Sequence, residues 1–179
     1  MSSILTVGYA SRSLDELIAL LQRERVEFLI DVRSNPQSGT KPEFSGKPLE
    51  TALRAASVKY VFMGDSLGGR PSDPSCYENG FVVYDLVREK PFFQAGIDRL
   101  MQACAQGLGV CLLCSEPRPE DCHRTKLIAV ALADRGVTVI HLEPNGERAD
   151  HAAVLARLEK PQAELFGNDL TSRKAYRAG

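Results

Sequence analysis

The chain has 179 residues, of which 44% are hydrophobic and 25% are charged. This length and balance are typical of a globular chain that buries one sizeable core, so we expect a single domain. The formal net charge of -1 gives no global electrostatic reason to bind nucleic acid or an anionic membrane. The sequence shows no signal-peptide pattern and no apolar run of the roughly 18 residues that span a bilayer, and we expect a cytoplasmic protein.

The first third of the chain alternates strand and helix patterns. The run "SILTVGY" is short and apolar, which predicts a buried strand at residues 3–9. Ser13 and Glu16 then fit a capping box, and Leu14, Leu17 and Leu21 fall on one face of the helix that follows. Further patterns predict a strand at residues 26–32, a helix at 48–56 and a strand at 58–63.

The remainder continues this alternation after a long polar loop at residues 64–80, and loops of that length inside a domain are usually functional or mobile. The patterns predict helices at residues 81–89 and 92–106, a strand at 108–113, a helix at 122–134, a strand at 137–142 and a helix at 150–160. We therefore expect an α/β domain over residues 1–160 and a mobile C-terminal tail over residues 161–179.

Strands that are continuous apolar runs, separated by helices, predict a mainly parallel five-stranded sheet with helices on both faces, a Rossmann-like three-layer fold. The commonest strand order of such folds places the first and fourth strands side by side at the centre. Ligands bind these sheets at the carboxyl ends of the strands. We therefore expect the functional site at that edge.

Residues 114–124, "CSEPRPEDCHR", follow the fourth strand and carry unusual chemistry. If Asp121 caps the next helix, Cys122, His123 and Arg124 lie in its first turn, where the helix dipole favours anions. That setting predicts a lowered pKa for Cys122, or for Cys114 if the loop folds back. Arg124 and His123 could hold a phosphate or carboxylate there, and Glu116 and Glu120 could transfer protons.

Simpler interpretations exist for several of these residues. Cysteine is among the most buried residue types, so Cys76, Cys104 and Cys111 are expected to be small core residues, and the same interpretation stays open for Cys114 and Cys122. Likewise, His123 and Arg124 could serve only to satisfy carbonyls and acids around the loop. The remaining anion-binding candidate, Arg33, could simply pair with Asp31 at a strand end.

Two familiar motifs do not fit. Cys111 and Cys114 have CxxC spacing, but residues three apart on a strand face opposite sides and cannot grip one metal ion, so we expect no metal and no cofactor. The phosphate loops of cysteine phosphatases and rhodaneses require Cys-x5-Arg. Counted from Cys114, the position of that arginine is occupied by Glu120, which excludes a simple copy of that mechanism.

Several segments together resemble a known family. The stretches "TVGYASRSLDELIALL", "LIDVRSNPQS", "KYVFMGDSLGG" and "LLCSEPRPEDCHR", with Phe44, are similar in order to the motifs of the domain of unknown function 488. Its signature Cys-x-Glu-x2-Pro-x2-Cys-His-Arg is matched at every position, and the likeness covers residues 4–142. Where the family usually has Gly-His-Ser this chain has Gly8, Tyr9 and Ala10, so Tyr9 and Ser11 would take any such role. The resemblance implies an α/β fold and no particular reaction.

Two hypotheses about function follow from the residues. In the first, the chain is an enzyme for a phosphate- or carboxylate-bearing substrate, such as a nucleotide or nucleic-acid end, with Cys114, Glu116 and Cys122 as catalytic residues. In the second, it is a non-catalytic module that binds a ligand or partner in the same pocket. The expected anion- and substrate-binding residues are Arg33, His123, Arg124, Asp31, Tyr9, Ser11, Gly68 and Gly69, with Gly8 and Leu67 beside them.

The tail contains a second motif. Gln162, Leu165 and Phe166 resemble the pentapeptide Gln-x-x-Leu-Phe that binds the bacterial DNA sliding clamp. Such a peptide places two adjacent apolar side chains in a hydrophobic groove. The alternative is that Leu165 and Phe166 dock on the surface of the chain's own domain.

Overall fold

A six-stranded, mostly parallel sheet forms the centre of the molecule. The structure, a computed structural model, describes residues 3–158 and 171–176. Within them the strands are β1 (Ile4–Gly8), β2 (Phe28–Asp31), β3 (Lys59–Phe62), β4 (Tyr77–Glu78), β5 (Phe81–Val82), β6 (Val110–Cys114), β7 (Val139–Leu142) and β8 (Arg148–Asp150). The sheet order is β3-β2-β6-β1-β7-β8, while β4 and β5 form a separate hairpin.

The two central strands are the first strand and the one predicted as the fourth. β1 runs parallel to β6, with Leu5 opposite Cys111 and Gly8 opposite Cys114. Every residue of both strands is buried, as expected for apolar runs that are covered on both faces. The predicted α/β class and the central strand pair are therefore confirmed.

Helices cover the two faces of the sheet. They are α1 (Leu14–Arg23), α2 (Gly46–Ala55), α3 (Gly64–Leu67), α4 (Tyr84–Arg88), α5 (Pro91–Ala105), α6 (Val130–Ala133) and α7 (His151–Leu155). One core cluster packs α1 and α2 on one face, and a second packs α3 to α6 on the other. Cys111 belongs to the first cluster and Cys114 to the second, as the alternation of side chains along a strand requires.

The capping box of α1 forms as predicted. Ser13 accepts a hydrogen bond from the backbone N–H of Glu16, and the Glu16 carboxylate accepts one from the backbone N–H of Ser13. Leu17 and Leu21 on this helix are fully buried. The helix therefore begins where its sequence satisfies the first free backbone donors.

The sheet has one strand more than the five expected. β8 runs antiparallel to β7, and a turn containing Asn145 and Gly146 joins them, with Gly146 at φ +81. An Asn-Gly pair between two extended segments is a strong hairpin signal, which the prediction overlooked. The last helix, expected at residues 150–160, is consequently α7 alone, which begins at His151.

The helix expected at residues 122–134 also starts differently. A 3-10 turn, Pro119–Asp121, precedes Cys122, whose backbone is extended, and a π-helix, Arg124–Ala129, leads into α6. Asp121 is therefore not the helix cap. The helix expected at residues 81–89 is likewise split, because β5 occupies its beginning and α4 its end.

None of the described helices has the length and apolar character needed to cross a membrane.

Candidate functional site

A cavity of about 360 Å³ opens at the carboxyl edge of the sheet. Its walls come from the loops after β1, β2 and β6, together with the segment 171–176. This is the edge where parallel α/β sheets bind ligands, and the volume lies within the range of small-molecule sites. Of the residues predicted from sequence, Tyr9, Arg33, Gly69, Cys114, Glu116 and His123 line it.

Two thiols, a carboxylate and an imidazole meet at one side of this cavity. Cys114 Sγ lies 3.0 Å from Glu116 Oε2 and 3.7 Å from His123 Nδ1. Cys122 Sγ lies 3.4 Å from the same carboxylate oxygen and 3.6 Å from the same nitrogen. We call Cys114, Glu116, Cys122 and His123 the thiol cluster.

The backbone around β1 fixes the loop that carries Glu116. Tyr9 N–H donates to the carbonyl of Cys114, and Ala10 N–H donates to the carbonyl of Ser115, so the pairing of β1 with β6 continues beyond the strands. A Cβ atom on Gly8 would lie 1.8 Å from the Glu116 carbonyl oxygen. Only glycine therefore fits at the end of β1 without moving this loop.

The imidazole of His123 is held on two sides. Its Nε2 lies 3.0 Å from the carbonyl oxygen of Val32, at the end of β2. A Cβ atom on Gly69 would lie 2.7 Å from His123 Cγ, so the glycine backbone packs directly against the ring. Because Nε2 donates to Val32, the lone pair of Nδ1 points to the two sulfur atoms.

Arg124 is buried under the loop after β6 and is not exposed, as a residue that binds a substrate anion would be. It is fully buried, and its guanidinium donates to the carbonyl oxygens of Glu116 and Pro117 at 2.6 and 3.2 Å. It does not line the cavity. The expectation that Arg124 binds a substrate anion directly is therefore corrected, because both of its amino groups are used to hold the loop.

Arg33 lines the cavity but is paired with Asp31. Its Nε and Nη2 atoms donate to the two carboxylate oxygens of Asp31, and Nη2 also donates to the carbonyl of Phe44. Burial opposes the charged form, but the hydrogen bonds and charge of Asp31 outweigh it and raise the pKa of Arg33. The Tyr9 ring lies below the guanidinium, 5.1 Å from it, and stacks on Phe44. Asp31 is thus the counter-ion of Arg33 and does not itself reach the cavity.

Two groups of the thiol cluster, Cys114 and Glu116, have shifted pKa values. Contact with Cys122 and burial raise the pKa of the Cys114 thiol well above its usual value, where the sequence predicted a lowered one. Burial opposes ionisation of Glu116, but hydrogen bonds from Cys114 and from its own backbone N–H lower its pKa to about 2. At neutral pH, Glu116 is therefore a carboxylate that accepts hydrogen bonds from thiols.

The other predicted residues lie near the cavity without lining it. Cys122 is 1% exposed and reaches the site only through the thiol cluster. Gly68 packs against Ser34, and a Cβ there would lie 2.5 Å from the serine oxygen. Leu67 is in the core, while Ser11 is exposed and accepts a long hydrogen bond from Arg12.

Several residues at the cavity mouth were not predicted from sequence. Arg70 follows the Gly68-Gly69 pair, which is a cue that could have identified it, and its guanidinium lies 5.1 Å from the Tyr176 ring. Arg173 and Lys174 belong to the segment predicted to be mobile. Residues 171–176 contact the domain, since Ser172 N–H donates to the Val82 carbonyl. Nothing in the local sequence pattern predicts that these residues contact the domain.

The fold and the site define an α/β domain whose parallel sheet carries a cavity lined by thiol, imidazole, carboxylate and cationic groups at its carboxyl edge. The model of one protein family, described as Domain of unknown function DUF488, matches residues 13–131. The chain belongs to that family. Searches of curated proteins and of solved structures found no match.

Proposed function

We propose that the chain is an enzyme that binds a small phosphate- or carboxylate-bearing substrate, such as a nucleotide, in the cavity at the carboxyl edge of the sheet. The observation that carries this proposal is the charge of the lining. Four cationic side chains, Arg33, Arg70, Arg173 and Lys174, face two carboxylates, Glu116 and Asp121. Because cationic side chains outnumber carboxylates in its lining, the cavity attracts anions locally, although the whole chain has a net charge of -1.

The cations differ in how available they are. Arg33 is neutralised by Asp31 at 2.5 Å, and Arg173 lies 3.6 Å from Asp121. Arg70 is exposed, and Lys174 lines the mouth beside it. We therefore assign the main anion contact to Arg70 and Lys174, with Arg33 at the base of the cavity and His123 beside the thiols.

In this proposal the thiol cluster supplies the chemistry. Glu116 is the base, because it is ionised and already accepts hydrogen bonds from Cys114, Cys122 and Ser115. Cys114 is the candidate nucleophile, since it is the thiol that lines the cavity. The five cysteines form no disulfide, which fits the reducing cytoplasm that we propose as the setting.

A non-catalytic binding module is the second candidate. The observation that favours it is the state of the Cys114 thiol, which is 3% exposed and has a raised pKa. Nucleophilic cysteines usually sit in partly exposed, electropositive surroundings that lower the thiol pKa. The two candidates share the anion-binding cavity and differ in whether the bound ligand is converted.

A thermal-shift experiment tests the anion site. We would measure Tm with inorganic phosphate, a set of nucleoside monophosphates and a set of small carboxylates. A bound ligand stabilises by RT ln(1 + [L]/Kd), and each 1 kcal/mol raises Tm by about 2–4 °C in a domain of this size. We expect Arg70→Ala with Lys174→Ala to abolish the shift and Arg99→Ala, at an exposed site on α5, to keep it.

An unchanged shift in the Arg70/Lys174 double variant would place the ligand elsewhere and reject the proposal. Where a ligand binds, mass spectrometry of the incubated mixture separates the two candidates. Conversion of the ligand by wild type, and its loss in Glu116→Gln, supports the enzyme. Binding with no conversion supports the module.

The sliding-clamp motif stays a prediction, because Gln162, Leu165 and Phe166 lie outside the described residues. We propose clamp binding as a partner interaction of this segment. The test is fluorescence anisotropy of a labelled peptide of residues 161–179 with bacterial clamp at micromolar concentration. Binding that is lost in Leu165→Ala with Phe166→Ala supports the proposal, and binding unchanged by these substitutions rejects it.

A further inference from the structure

The two thiols and one imidazole nitrogen of the thiol cluster have the arrangement of metal ligands. Cys114 Sγ, Cys122 Sγ and His123 Nδ1 all lie within 4.8 Å of one another. Zinc in proteins has Zn–S bonds of about 2.3 Å and Zn–N bonds of about 2.0–2.1 Å in a tetrahedron, so a bound sulfur and nitrogen lie about 3.6 Å apart. The two S···N separations in the structure are 3.7 and 3.6 Å.

The surroundings of these atoms are those of a prepared metal site. Metal-bound histidines almost always donate their second N–H to a carbonyl or carboxylate, which fixes the ring and the tautomer. His123 Nε2 does this with the Val32 carbonyl at 3.0 Å. The backbone N–H of Arg124 points at Cys122 Sγ, 3.5 Å away, which stabilises negative charge on that sulfur. These contacts are independent of the spacing of the three ligand atoms.

We infer that Cys114, Cys122 and His123 bind a thiophilic divalent transition-metal ion, with Zn²⁺ as the expected occupant. Two sulfur ligands and one imidazole suit zinc far better than Mg²⁺ or Ca²⁺, which prefer oxygen ligands. Binding replaces the two thiol protons with bonds to the metal, and these protons leave to solvent by way of the Glu116 carboxylate. The sequence argument against a metal concerned Cys111, which lies in the other core cluster and takes no part.

The inference rests on the proposed function and deepens it. Cys114 and His123 line the cavity, so the coordination position that the protein leaves free is reached from there. Zinc sites with three protein ligands and one open position are the catalytic type, in which the metal acts as a Lewis acid. The substrate class is then an anion with an oxygen that the metal can polarise. In the metal-bound protein, Cys114 is a metal ligand, and its role as nucleophile, proposed above, applies only to the metal-free site.

Cobalt is the probe for the first experiment. We would prepare the full chain free of metal, keep its thiols reduced, and titrate Co²⁺ while recording the absorption spectrum. We expect one Co²⁺ per chain, intense visible bands of tetrahedral geometry, and a near-ultraviolet band of thiolate-to-metal charge transfer. Zn²⁺ should displace the cobalt and bleach these bands. A wild-type spectrum without the charge-transfer band would overturn the inference.

Matched variants identify the ligands. Cys114→Ser, Cys122→Ser and His123→Gln should each weaken Co²⁺ binding on the order of 100-fold or more, since even loss of an outer-shell contact weakens metal sites 10–100-fold. Glutamine at position 123 keeps an amide donor near the position of Nε2. Cys104→Ser, at a partly exposed thiol, should bind as wild type does. Equal losses in Cys104→Ser and Cys114→Ser would show adventitious thiol binding and reject the site.

Wild-type protein decides the question if a variant fails to fold. X-ray absorption of the zinc-loaded chain should show two sulfur atoms at about 2.3 Å and at least one nitrogen at about 2.0 Å. Fewer than two sulfur atoms would contradict the assignment. The anion-induced Tm shift is a separate measurement. A shift without metal binding rejects only this inference, and metal binding without a shift rejects only the proposed anion cavity.

Discussion

Two clusters, each centred on a histidine, lie on either side of β1, and they have opposite electrostatics. His123 lies against Cys114 and Glu116 and opens on the cavity. His141, on β7, is fully buried, with Nδ1 at 2.8 Å from the Thr6 hydroxyl and Nε2 at 3.0 Å from His151 Nδ1. We call Thr6, His141 and His151 the sealed histidine cluster.

The same burial therefore has different results at the two sites. Burial opposes protonation of both histidines, but at His123 the interactions with Cys114 and with the Glu116 carboxylate outweigh it and raise the pKa. At His141, burial, His151 and nearby arginines all act in one direction and lower the pKa to about 3. The neighbours of these two buried histidines therefore decide the direction in which each pKa moves.

The largest expected effect is at Arg124, which holds the loop that carries Glu116. Arg124→Leu leaves the carbonyl oxygens of Glu116 and Pro117 without their donors. We expect a loss of about 3 kcal/mol or more in the free energy of unfolding, because hydrogen bonds to charged groups contribute about 1.5–3 kcal/mol each. Urea unfolding measures it. Arg99→Leu, at an exposed position, should stay within about 0.5 kcal/mol, and an equally small change in Arg124→Leu would show that the loop is held by other contacts.

The next prediction concerns pH and the sealed histidine cluster. The folded chain keeps His141 neutral down to about pH 3, whereas the unfolded chain protonates it near its ordinary pKa of 6.5. Stability from this group is thus complete above pH 6.5 and falls as the pH drops towards 3. Each pH unit in that window removes at most about 1.4 kcal/mol, or about 2 kcal/mol between pH 6.5 and 5.

The His141→Gln variant removes this titration and keeps an amide that can bond to a neighbour. We expect its unfolding free energy to depend less steeply on pH between 6.5 and 5 than that of wild type. Urea unfolding at several pH values compares the two slopes. Parallel curves would mean that other groups carry the acid sensitivity of the chain.

A smaller effect is expected at the thiols. In metal-free protein at pH 7, Cys114 should react with iodoacetamide at least tenfold more slowly than a free thiol. The reason is that each unit of pKa elevation lowers the thiolate fraction about tenfold, and Cys114 is 3% exposed. Mass spectrometry of each cysteine measures the rates, with partly exposed Cys104 as the internal reference. Fast labelling of Cys114 would revive the lowered thiol pKa that the sequence predicted.

The smallest expected effect is at Thr6. Thr6→Val removes the hydroxyl beside His141 Nδ1 and should lower the free energy of unfolding by about 1 kcal/mol, the net contribution of a typical hydrogen bond. Thr6→Ser keeps the hydroxyl and serves as the matched control. If Thr6→Ser destabilises more than Thr6→Val, packing of the methyl group matters more than the hydrogen bond.

Five strands of the sheet and its central pair, β1 with β6, were predictable from sequence, because continuous apolar runs favour a sheet that is covered on both faces. The place of β2 beside β6 and the antiparallel strand β8 were not predicted. The sequence placed Cys114, Glu116, Cys122 and His123 in one loop after a central strand, but it did not predict the contacts among their side chains. The direction of the Arg124 side chain did not follow, since spacing along the chain does not determine which way a side chain points. The raised pKa of Cys114 was also missed, because it results from contact with Cys122 and from burial, and both depend on how the loop between the two cysteines folds.

The cavity mouth was the least predictable part. Residues 171–176 reach it through contacts with the β4–β5 hairpin, where Ser172 N–H donates to Val82, and through the pairing of Thr171 with Val83, directly after β5. These residues have neither apolar periodicity nor a turn motif, so their local pattern indicates only a polar end. Pairing between segments so distant in sequence depends on the surface of the folded domain, which the local pattern of the sequence does not specify.

The positions of Cys111 and Cys114 on β6 have a consequence for how this chain tolerates insertions. Successive side chains of a strand lie on opposite faces of the sheet, so these two cysteines, three residues apart, lie on opposite faces. Adding one residue to β6 before Cys114 would move every following side chain of the strand to the opposite face of the sheet. Cys114 would then face the α1–α2 side, and the cavity would lose its thiol although every residue type was retained.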